Sequence, residues 1–288
     1  MTTTSNVQDW LLEARQLLSG CSDQPALEAQ VLLGHVLEQP RPWIVAHPKA
    51  PLSPAQDKTL ASLLAQRLLG APLPYLIGHW EFFRLDFIVN NNVLIPRPET
   101  EFLVEEALDW LRGRRQPLLA ADVGTGSGCI AVALACHMPN LVVIASDLSR
   151  GALQVATQNV LRHGLGGRVH LLQTDLLMGC VGPFDLLSAN LPYIPSATLK
   201  GLEVATHEPL LALDGGPDGL RLTERLLSQS VSCIAPGGLL LFEIEASQGE
   251  SAAEAAFRFF PDAAIRVLPD LAGKPRLLKI NLGMKPKP

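Results

Sequence analysis

The stretch Leu118-Leu119-Ala120-Ala121-Asp122-Val123-Gly124-Thr125-Gly126-Ser127-Gly128 decides the fold of this chain. Residues 118–123 form an apolar run with the length of a buried strand, and a helix is predicted from Ser127 onward. The glycines between them let the backbone turn sharply and approach a ligand closely. A strand, a glycine-rich turn and a helix in this order predict the start of an α/β domain.

The same strand, turn and helix pattern repeats along the rest of the chain. Further strands are predicted at residues 141–147, 169–174, 184–190 and 239–244, with helices from Ser149 and around residues 220–233. Strands that alternate with helices predict a parallel, doubly wound sheet.

The first seventy residues have a helical pattern instead. Apolar residues recur at the helical period in three segments: Trp10, Leu11, Ala14, Leu17 and Leu18; Leu27, Val31, Leu32 and Val36; and Leu60, Leu63, Leu64, Leu68 and Leu69. Pro25 suits the first turn of the second helix, with Ser22 or Asp23 as its N-cap, while Ser53-Pro54 opens the third helix and Gly70 ends it. Residues 80–89 then predict a hairpin before the turn Ile95-Pro96-Arg97-Pro98.

The composition of the chain argues against several classes of protein. The 288 residues are 48% hydrophobic, with a mean hydropathy of +0.22 and a formal net charge of -5. Basic residues run no longer than the pair Arg114-Arg115, which argues against a dedicated nucleic-acid binder. We expect no membrane span, no signal peptide in Met1–Asn6 and a cytoplasmic location. The five cysteines are scattered, which argues against a disulfide framework and a zinc site, so no metal is predicted.

The glycine loop indicates what is bound. Its pattern is G-x-G-x-G with Cys129 after it, whereas a nicotinamide-dinucleotide fingerprint has a small residue at position 129. Asp147 ends the second strand, where a carboxylate can accept hydrogen bonds from both ribose hydroxyls, and Asp175 follows the third strand at an equivalent level. A nucleoside joined to a small charged group fits both features, and S-adenosylmethionine has that shape.

The tetrapeptide Asn190-Leu191-Pro192-Tyr193 indicates the chemistry, because it follows an apolar strand at the same edge of the sheet. The Asn190 side-chain oxygen and a backbone carbonyl near Leu191 or Pro192 could accept the hydrogens of a planar amino group, directing its nitrogen at a donor methyl. Tyr193 would pack on the face of that group.

With these motifs in place, the sequence resembles the HemK/PrmC family, the peptide chain release factor N5-glutamine methyltransferases. Further segments carry the resemblance over nearly the whole chain. These are Pro74-Tyr75-Leu76-Ile77-Gly78, Ile95-Pro96-Arg97-Pro98-Glu99-Thr100-Glu101, His207-Glu208-Pro209 and Leu213-Asp214-Gly215-Gly216-Pro217-Asp218-Gly219-Leu220. For the Arg97 turn, a rigid linker and a role in closing the site are equally open.

The resemblance implies a Rossmann-like class I S-adenosylmethionine-dependent methyltransferase domain of the α/β class, with a smaller helical N-terminal domain. It implies a helical release-factor-binding domain at residues 1–78, a hairpin linker at 79–97 and the methyltransferase domain at 98–288. The partner would be a release factor, methylated on the side-chain amide of the glutamine in its Gly-Gly-Gln loop. We expect no direct contact with nucleic acid or membrane, and a monomer.

Carried over by motif, the residues fall into two groups. The cofactor would be bound by Gly124, Thr125, Gly126, Ser127, Gly128, Asp147, Leu176 and Asn190. The glutamine would be received by Asn190, Leu191, Pro192 and Tyr193, of which Asn190, Pro192 and Tyr193 would be catalytic.

Two residues depart from the family pattern, and two alternative functions remain possible for this sequence. Leu191 stands where the family usually has proline, and Glu245 where it has glycine in Glu-Ile-Gly. Leu191 also makes the tetrapeptide resemble that of ribosomal RNA adenine dimethyltransferases, so a nucleic-acid adenine N6-methyltransferase is one alternative. A non-catalytic cofactor-binding module is the other, although simple binding would not need the whole tetrapeptide.

Overall fold

The computed structural model describes residues 6–114 and 118–283. The chain divides into two compact units, Met1–Gly78 and His79–Pro288. The hairpin predicted as a linker lies in the second unit. The predicted roles of residues 1–78, 79–97 and 98–288 stay predictions.

The first unit is helical. Its helices are α1 Val7–Leu18, α2 Pro25–Leu37, α3 Arg41–Ala46, α4 Pro54–Leu68 and α5 Leu73–Ile77. The predicted helices α1, α2 and α4 are confirmed. Helices α3 and α5 were not predicted, because six and five residues are too few to establish a helical period. The buried core includes Trp10, Leu18, Leu32, Leu33, Ile44, Leu60 and Leu64.

The helix ends follow local hydrogen bonding. Ser53 and Gln56 form a capping box, each side chain accepting from the other's backbone N–H, so α4 begins where predicted. The predicted N-cap of α2 was wrong. The residue at that position is Gln24, and Ser22 Oγ instead accepts from the Gln24 backbone N–H at 3.0 Å.

The second unit opens with the predicted hairpin, β1 His79–Phe82 and β2 Leu85–Ile88. The residues of its two-residue turn have positive φ, 51° at Phe83 and 60° at Arg84, as this tight connection requires. Phe82 and Phe87 are buried in a core with helix α6, Pro98–Arg112, which was not predicted.

Seven strands in the described part of the chain form the main sheet, in the order β10-β11-β9-β6-β3-β4-β5. They are β3 Leu118–Val123, β4 Leu141–Asp147, β5 Val169–Gln173, β6 Phe184–Ala189, β9 Ile234–Glu243, β10 Ala264–Pro269 and β11 Pro275–Asn281. The strands from β5 to β9 in this order are parallel, as predicted. The two further strands, β11 and β10, were not predicted; they are antiparallel, and the chain reverses between them through a tight turn at residues 270–273.

Helices cover both faces of this sheet. They are α6, α7 Cys129–His137, α8 Arg150–Arg162, α11 Arg221–Ser230 and α12 Gly249–Phe259. Alternate residues of β3 enter opposite cores, with Ala120 in one and Ala121 and Val123 in the other. Short elements follow β6: β7 Ile194–Pro195, α9 Ser196–Leu199, α10 Val204–His207 and β8 Asp214–Gly216. Within residues 6–114 and 118–283, no helix combines the length and apolar character that a membrane crossing needs.

Asn159 on α8 joins the hairpin to the glycine loop. Its Oδ1 accepts from Ile88 N at 2.7 Å, and its Nδ2 donates to Ile88 O at 3.0 Å and to Ser127 O at 2.9 Å. The side chain is fully buried. One amide therefore satisfies three backbone groups from two segments that are distant in sequence.

We predict that Asn159→Leu lowers the free energy of unfolding of the second unit by about 3 kcal/mol, because it leaves buried backbone groups without partners while keeping the side-chain volume. Urea unfolding followed by circular dichroism measures the loss. The matched control is Gln158→Ala, a change at the exposed neighbouring position on α8. Equal unfolding midpoints for the two variants would contradict this role of Asn159.

Candidate active site

A cavity of about 520 Å³ opens at the edge of the sheet where the parallel strands end. This volume lies within the range of about 300–1,000 Å³ that is usual for small-molecule sites. Most of the predicted site residues line it, namely Gly124, Thr125, Gly126, Ser127, Asp147, Leu176, Asn190, Leu191 and Pro192. The predicted residues Gly128 and Tyr193 are not among its lining.

The glycine loop lies at the floor of this cavity. Gly124, Gly126 and Gly128 have φ of 72°, 57° and 81°, in the left-handed region that other residues rarely adopt. The backbone N–H groups of Gly124 and Thr125 both donate to Ser146 O on β4, at 2.8 and 2.9 Å. Gly128 is the N-cap of α7 and packs close to Ala156 of α8.

Asp147 closes the loop from the neighbouring strand. Its Oδ2 accepts from Gly126 N at 2.9 Å and its Oδ1 from Ser149 N at 2.8 Å. Burial raises the pKa of this carboxyl, while the backbone hydrogen bonds act in the opposite direction. Each oxygen keeps a further lone pair, so the carboxylate can still accept two hydroxyl groups.

Asp122, at the end of β3, is a buried carboxyl behind the loop. Thr125 Oγ1 donates to its Oδ2 at 2.6 Å. Burial raises the pKa of Asp122 to about 6, and the nearby charge of Asp147 adds to the shift. Asp122 is absent from the cavity lining, so its position indicates support of the loop rather than contact with a ligand.

Leu176 follows β5 with a φ of 57°, an unusual value for a branched residue. Its carbonyl accepts from Ser146 Oγ at 3.0 Å, which ties the turn after β5 to β4. The preceding residue, Asp175, forms an ion pair with Arg225 at 2.7 Å. The turn therefore presents Leu176 to the cavity from a fixed backbone.

Asn190 stands at the end of β6, and its contacts reveal two residues that the sequence did not single out. Its Nδ2 donates to Thr100 Oγ1 at 2.9 Å, and Thr100 Oγ1 donates to Glu243 Oε2 at 2.7 Å. Thr100 lies within the segment 95–101 and Glu243 ends β9. They are 143 positions apart, so no local pattern could have connected them.

Tyr193 also turns toward Glu243. The two oxygens, Tyr193 Oη and Glu243 Oε1, lie 3.5 Å apart. Burial and the charge of Glu243 raise the pKa of the Tyr193 hydroxyl, so it stays protonated. Its backbone carbonyl accepts from Gln248 Nε2 at 2.9 Å. The packing of this ring on a planar substrate stays a prediction.

Leu191 packs against the glycine loop. A Cβ placed on Gly124 would lie 2.8 Å from Leu191 Cδ2, closer than carbon atoms approach without displacement. Leu191 itself is 5% exposed. The residue that departs from the family pattern therefore fits the space left by Gly124 of the glycine loop.

Glu245, the other departure, caps a helical turn at Ala246–Gln248. Its side chain accepts from Ser247 N at 2.7 Å, and its own N–H donates to Gln248 Oε1 at 3.0 Å. Hydrogen bonding from Ser247 lowers the pKa of Glu245. This half-exposed carboxylate thus has a local structural role at Ser247, while the backbone N–H of Glu245 helps to fix the Gln248 amide that holds Tyr193.

The Arg97 turn is joined to the segment His207-Glu208-Pro209. Glu208 forms an ion pair with Arg97 and accepts from Ile95 N at 3.0 Å. Arg97 and Pro209 both line the cavity. Two of the segments that carry the family resemblance therefore meet at the cavity.

Across residues 6–114 and 118–283, no group of three His, Cys, Asp or Glu side chains is placed to hold a metal ion.

Comparison with known proteins identifies the family. Residues 9–78 match the model of the PrmC N-terminal domain, and residues 100–205 match that of the methyltransferase small domain. A release factor glutamine methyltransferase of Moorella thermoacetica is 44% identical over 264 residues, covering 91% of this chain and 93% of that protein. The chain belongs to the release factor glutamine methyltransferase family.

Other comparisons agree with this result. A release factor glutamine methyltransferase of Nitratidesulfovibrio vulgaris is 38% identical, covering 96% of this chain and 95% of that protein. A solved methyltransferase from Pyrococcus furiosus shares the fold at 18% identity, with a TM-score of 0.52 over 70% of this chain and 91% of that chain. The resemblance and the predicted fold class, a class I methyltransferase domain with a helical N-terminal domain, are confirmed. The protein is a methyltransferase.

We predict that Gly124→Ala destabilises this methyltransferase more than Gly126→Ala does. Both changes impose about 1–2 kcal/mol of strain from positive φ, but the Cβ at position 126 has no atom within 4 Å, whereas that at 124 meets Leu191. Urea unfolding of the two variants gives the difference. In a Leu191→Ala background the excess cost at position 124 should disappear, and its persistence would show that the contact is not responsible.

Proposed function

We propose that this protein transfers the methyl group of S-adenosylmethionine to the side-chain amide nitrogen, N5, of the glutamine in the Gly-Gly-Gln motif of peptide chain release factors. The observation that carries the proposal is that Asn190, at the end of β6, lines the same cavity as the glycine loop and Asp147. The curated relatives are named for methylation of a release factor glutamine, which supports this assignment.

The residues around the loop fit the proposed cofactor. The glycines bring backbone to the cavity surface, and a side chain at Gly124 would collide with Leu191. We assign Gly124, Thr125, Gly126, Ser127 and Gly128 to shaping the cofactor site. Asp147 would accept the ribose hydroxyls through the lone pairs that Gly126 and Ser149 leave free, and Leu176 would pack on the adenine. When bound, S-adenosylmethionine supplies an electrophilic methyl group.

The tetrapeptide would receive the glutamine amide. An amide nitrogen is a poor nucleophile because its lone pair is delocalised, so positioning is the main contribution that the enzyme can make. Asn190 Oδ1 would accept one hydrogen of the amide. A Cβ placed on Gly215 would lie 2.8 Å from Pro192 O, so that carbonyl packs against Gly215. We therefore favour the Leu191 carbonyl as the second acceptor.

Charge at the cavity favours a protein substrate over a nucleic acid. Three arginines line the cavity, Arg97, Arg221 and Arg225, and two of them form ion pairs, Arg97 with Glu208 and Arg225 with Asp175. Paired guanidinium groups are less available to neutralise phosphates. The net charge of -5 argues in the same direction. We infer no direct binding of nucleic acid.

The helical unit would help to hold the release factor, in keeping with its match to the PrmC N-terminal domain. We further propose that the enzyme acts as a monomer. Its substrate works on ribosomes, so we place the reaction in the cytoplasm.

We predict that the purified protein with methyl-labelled S-adenosylmethionine labels a release factor containing Gly-Gly-Gln. A release factor in which that glutamine is replaced by alanine is the matched control and should stay unlabelled. Scintillation counting and mass spectrometry of the Gly-Gly-Gln peptide locate the methyl group. Transfer to ribosomal RNA and not to the release factor would overturn the proposal in favour of an adenine methyltransferase, and cofactor binding without transfer would favour a non-catalytic module.

The division of roles predicts opposite kinetic signatures for two variants. Asn190→Ala should lower kcat by about a hundredfold or more and change the Kd of the cofactor little, since its main contact is with the reacting amide. Asp147→Ala should raise the Kd of the cofactor by about tenfold or more, because two ribose hydroxyls lose their acceptor. Isothermal titration and steady-state rates separate the two effects. Equal losses of kcat and affinity in both variants would contradict the division.

A further inference from the structure

A buried chain of hydrogen bonds leads away from Asn190. Asn190 Nδ2 lies 2.9 Å from Thr100 Oγ1, which lies 2.7 Å from Glu243 Oε2. Thr100 and Glu243 are 2% and 3% exposed, and Thr100 lines the cavity whereas Glu243 does not. These hydrogen bonds connect α6, β9 and the end of β6.

The chemistry of the three groups determines which of them donates and which accepts in each hydrogen bond. An ionised carboxylate can only accept, so the single hydroxyl proton of Thr100 goes to Glu243. Its oxygen then accepts, and the partner it needs is the NH₂ end of the Asn190 amide. The reverse orientation would place the Asn190 oxygen against a hydroxyl oxygen whose proton is already used. The oxygen of Asn190 is therefore the end that is left for a ligand.

We propose that Thr100 and Glu243 are positioning residues that hold the Asn190 amide with its oxygen toward the nitrogen to be methylated. This inference rests on the proposed function, since it concerns the reception of the glutamine amide. An amino group donates its hydrogens, so an acceptor must face it. With the Asn190 amide reversed, two NH₂ groups would meet and the substrate nitrogen would lose its alignment.

Ionisable groups around Glu243 set the pH range in which the arrangement holds. Those that face it are Glu99 of α6, Cys129 of α7, Arg276 of β11 and Tyr193 after β6. Burial raises the pKa of Glu243 to about 7, Glu99 acts in the same direction, and the Thr100 hydrogen bond and Arg276 act against it. Above this pH the carboxylate accepts from Thr100. Below it the protonated acid can donate, and both orientations of Asn190 become available.

The first test compares Thr100→Val with Thr100→Ser in methylation of the release factor. Valine removes the hydroxyl at nearly constant shape and should lower kcat by about tenfold or more, with KM for the release factor and Kd for the cofactor changed less than about twofold. Serine keeps the hydroxyl and should restore most of kcat. Ser230→Ala is the matched control, because it deletes a buried hydroxyl that bonds to Leu226 O within its own helix.

The second test is the pH profile. In the wild-type enzyme kcat should fall as pH drops through about 7, because protonation of Glu243 removes the preference for one orientation. Glu243→Gln does not titrate and, like the protonated acid, can both donate to and accept from Thr100, so its kcat should be low and its profile should lose this acid limb. An unchanged acid limb in Glu243→Gln would show that another group is responsible and would overturn the role of Glu243.

A third measurement is independent of turnover. In protein labelled with ¹⁵N-asparagine, the Asn190 side-chain NH₂ signals are identified by their absence in Asn190→Ala. Their exchange with solvent should quicken by about tenfold or more in Thr100→Val, since the NH₂ loses its acceptor. Unchanged exchange together with unchanged kcat would overturn the inference. Failure of the wild-type enzyme to methylate any release factor would instead overturn the proposed function, whatever the exchange data show.

Discussion

The fold of the catalytic unit depends on a backbone constraint at Gly124, the first residue after β3. The chain must take positive φ there, and the position of its Cβ is occupied by Leu191 from the end of β6. Only glycine meets both requirements without strain or displacement. This close approach packs the loop after β3 against the tetrapeptide after β6, and both segments line one cavity. Asp147 then fixes the other side of the loop through the N–H of Gly126.

The sequence predicted those parts of the structure that local pattern encodes. The bounds predicted for β3 and β4 were correct, because each is an apolar run ended by a glycine or an acid. Helix α6 was not predicted, because the prolines at 96 and 98 favoured a turn, although Pro98 occupies the first turn of a helix without cost. The antiparallel strands β10 and β11 were also not predicted, since the strands identified from the sequence end at residue 244.

The main residues of the candidate site could be predicted from the sequence, but the residues that hold them in position could not. Asn190, Asp147 and the glycines follow predicted strands, so the rule that parallel strands end at one edge was enough to bring them together. Thr100 and Glu243 become neighbours only through the packing of α6 on the sheet. Gly128 has the conformation expected of the loop, yet it caps α7 and is absent from the cavity lining. Residue type and spacing thus indicated Asn190, Asp147 and the glycines, while tertiary contacts were needed to find Thr100, which also lines the cavity, and Glu243.

Asn159 couples the hairpin to the glycine loop through hydrogen bonds. The same amide bonds to Ile88 in β2 and to Ser127 in the loop, so displacement of either segment breaks contacts of the other. Linkage requires such a coupling to act equally in both directions. A ligand that orders the loop therefore also lowers the population of molecules in which the hairpin is detached. The stability of the hairpin's packing on α8 therefore depends on whether the glycine loop is ordered.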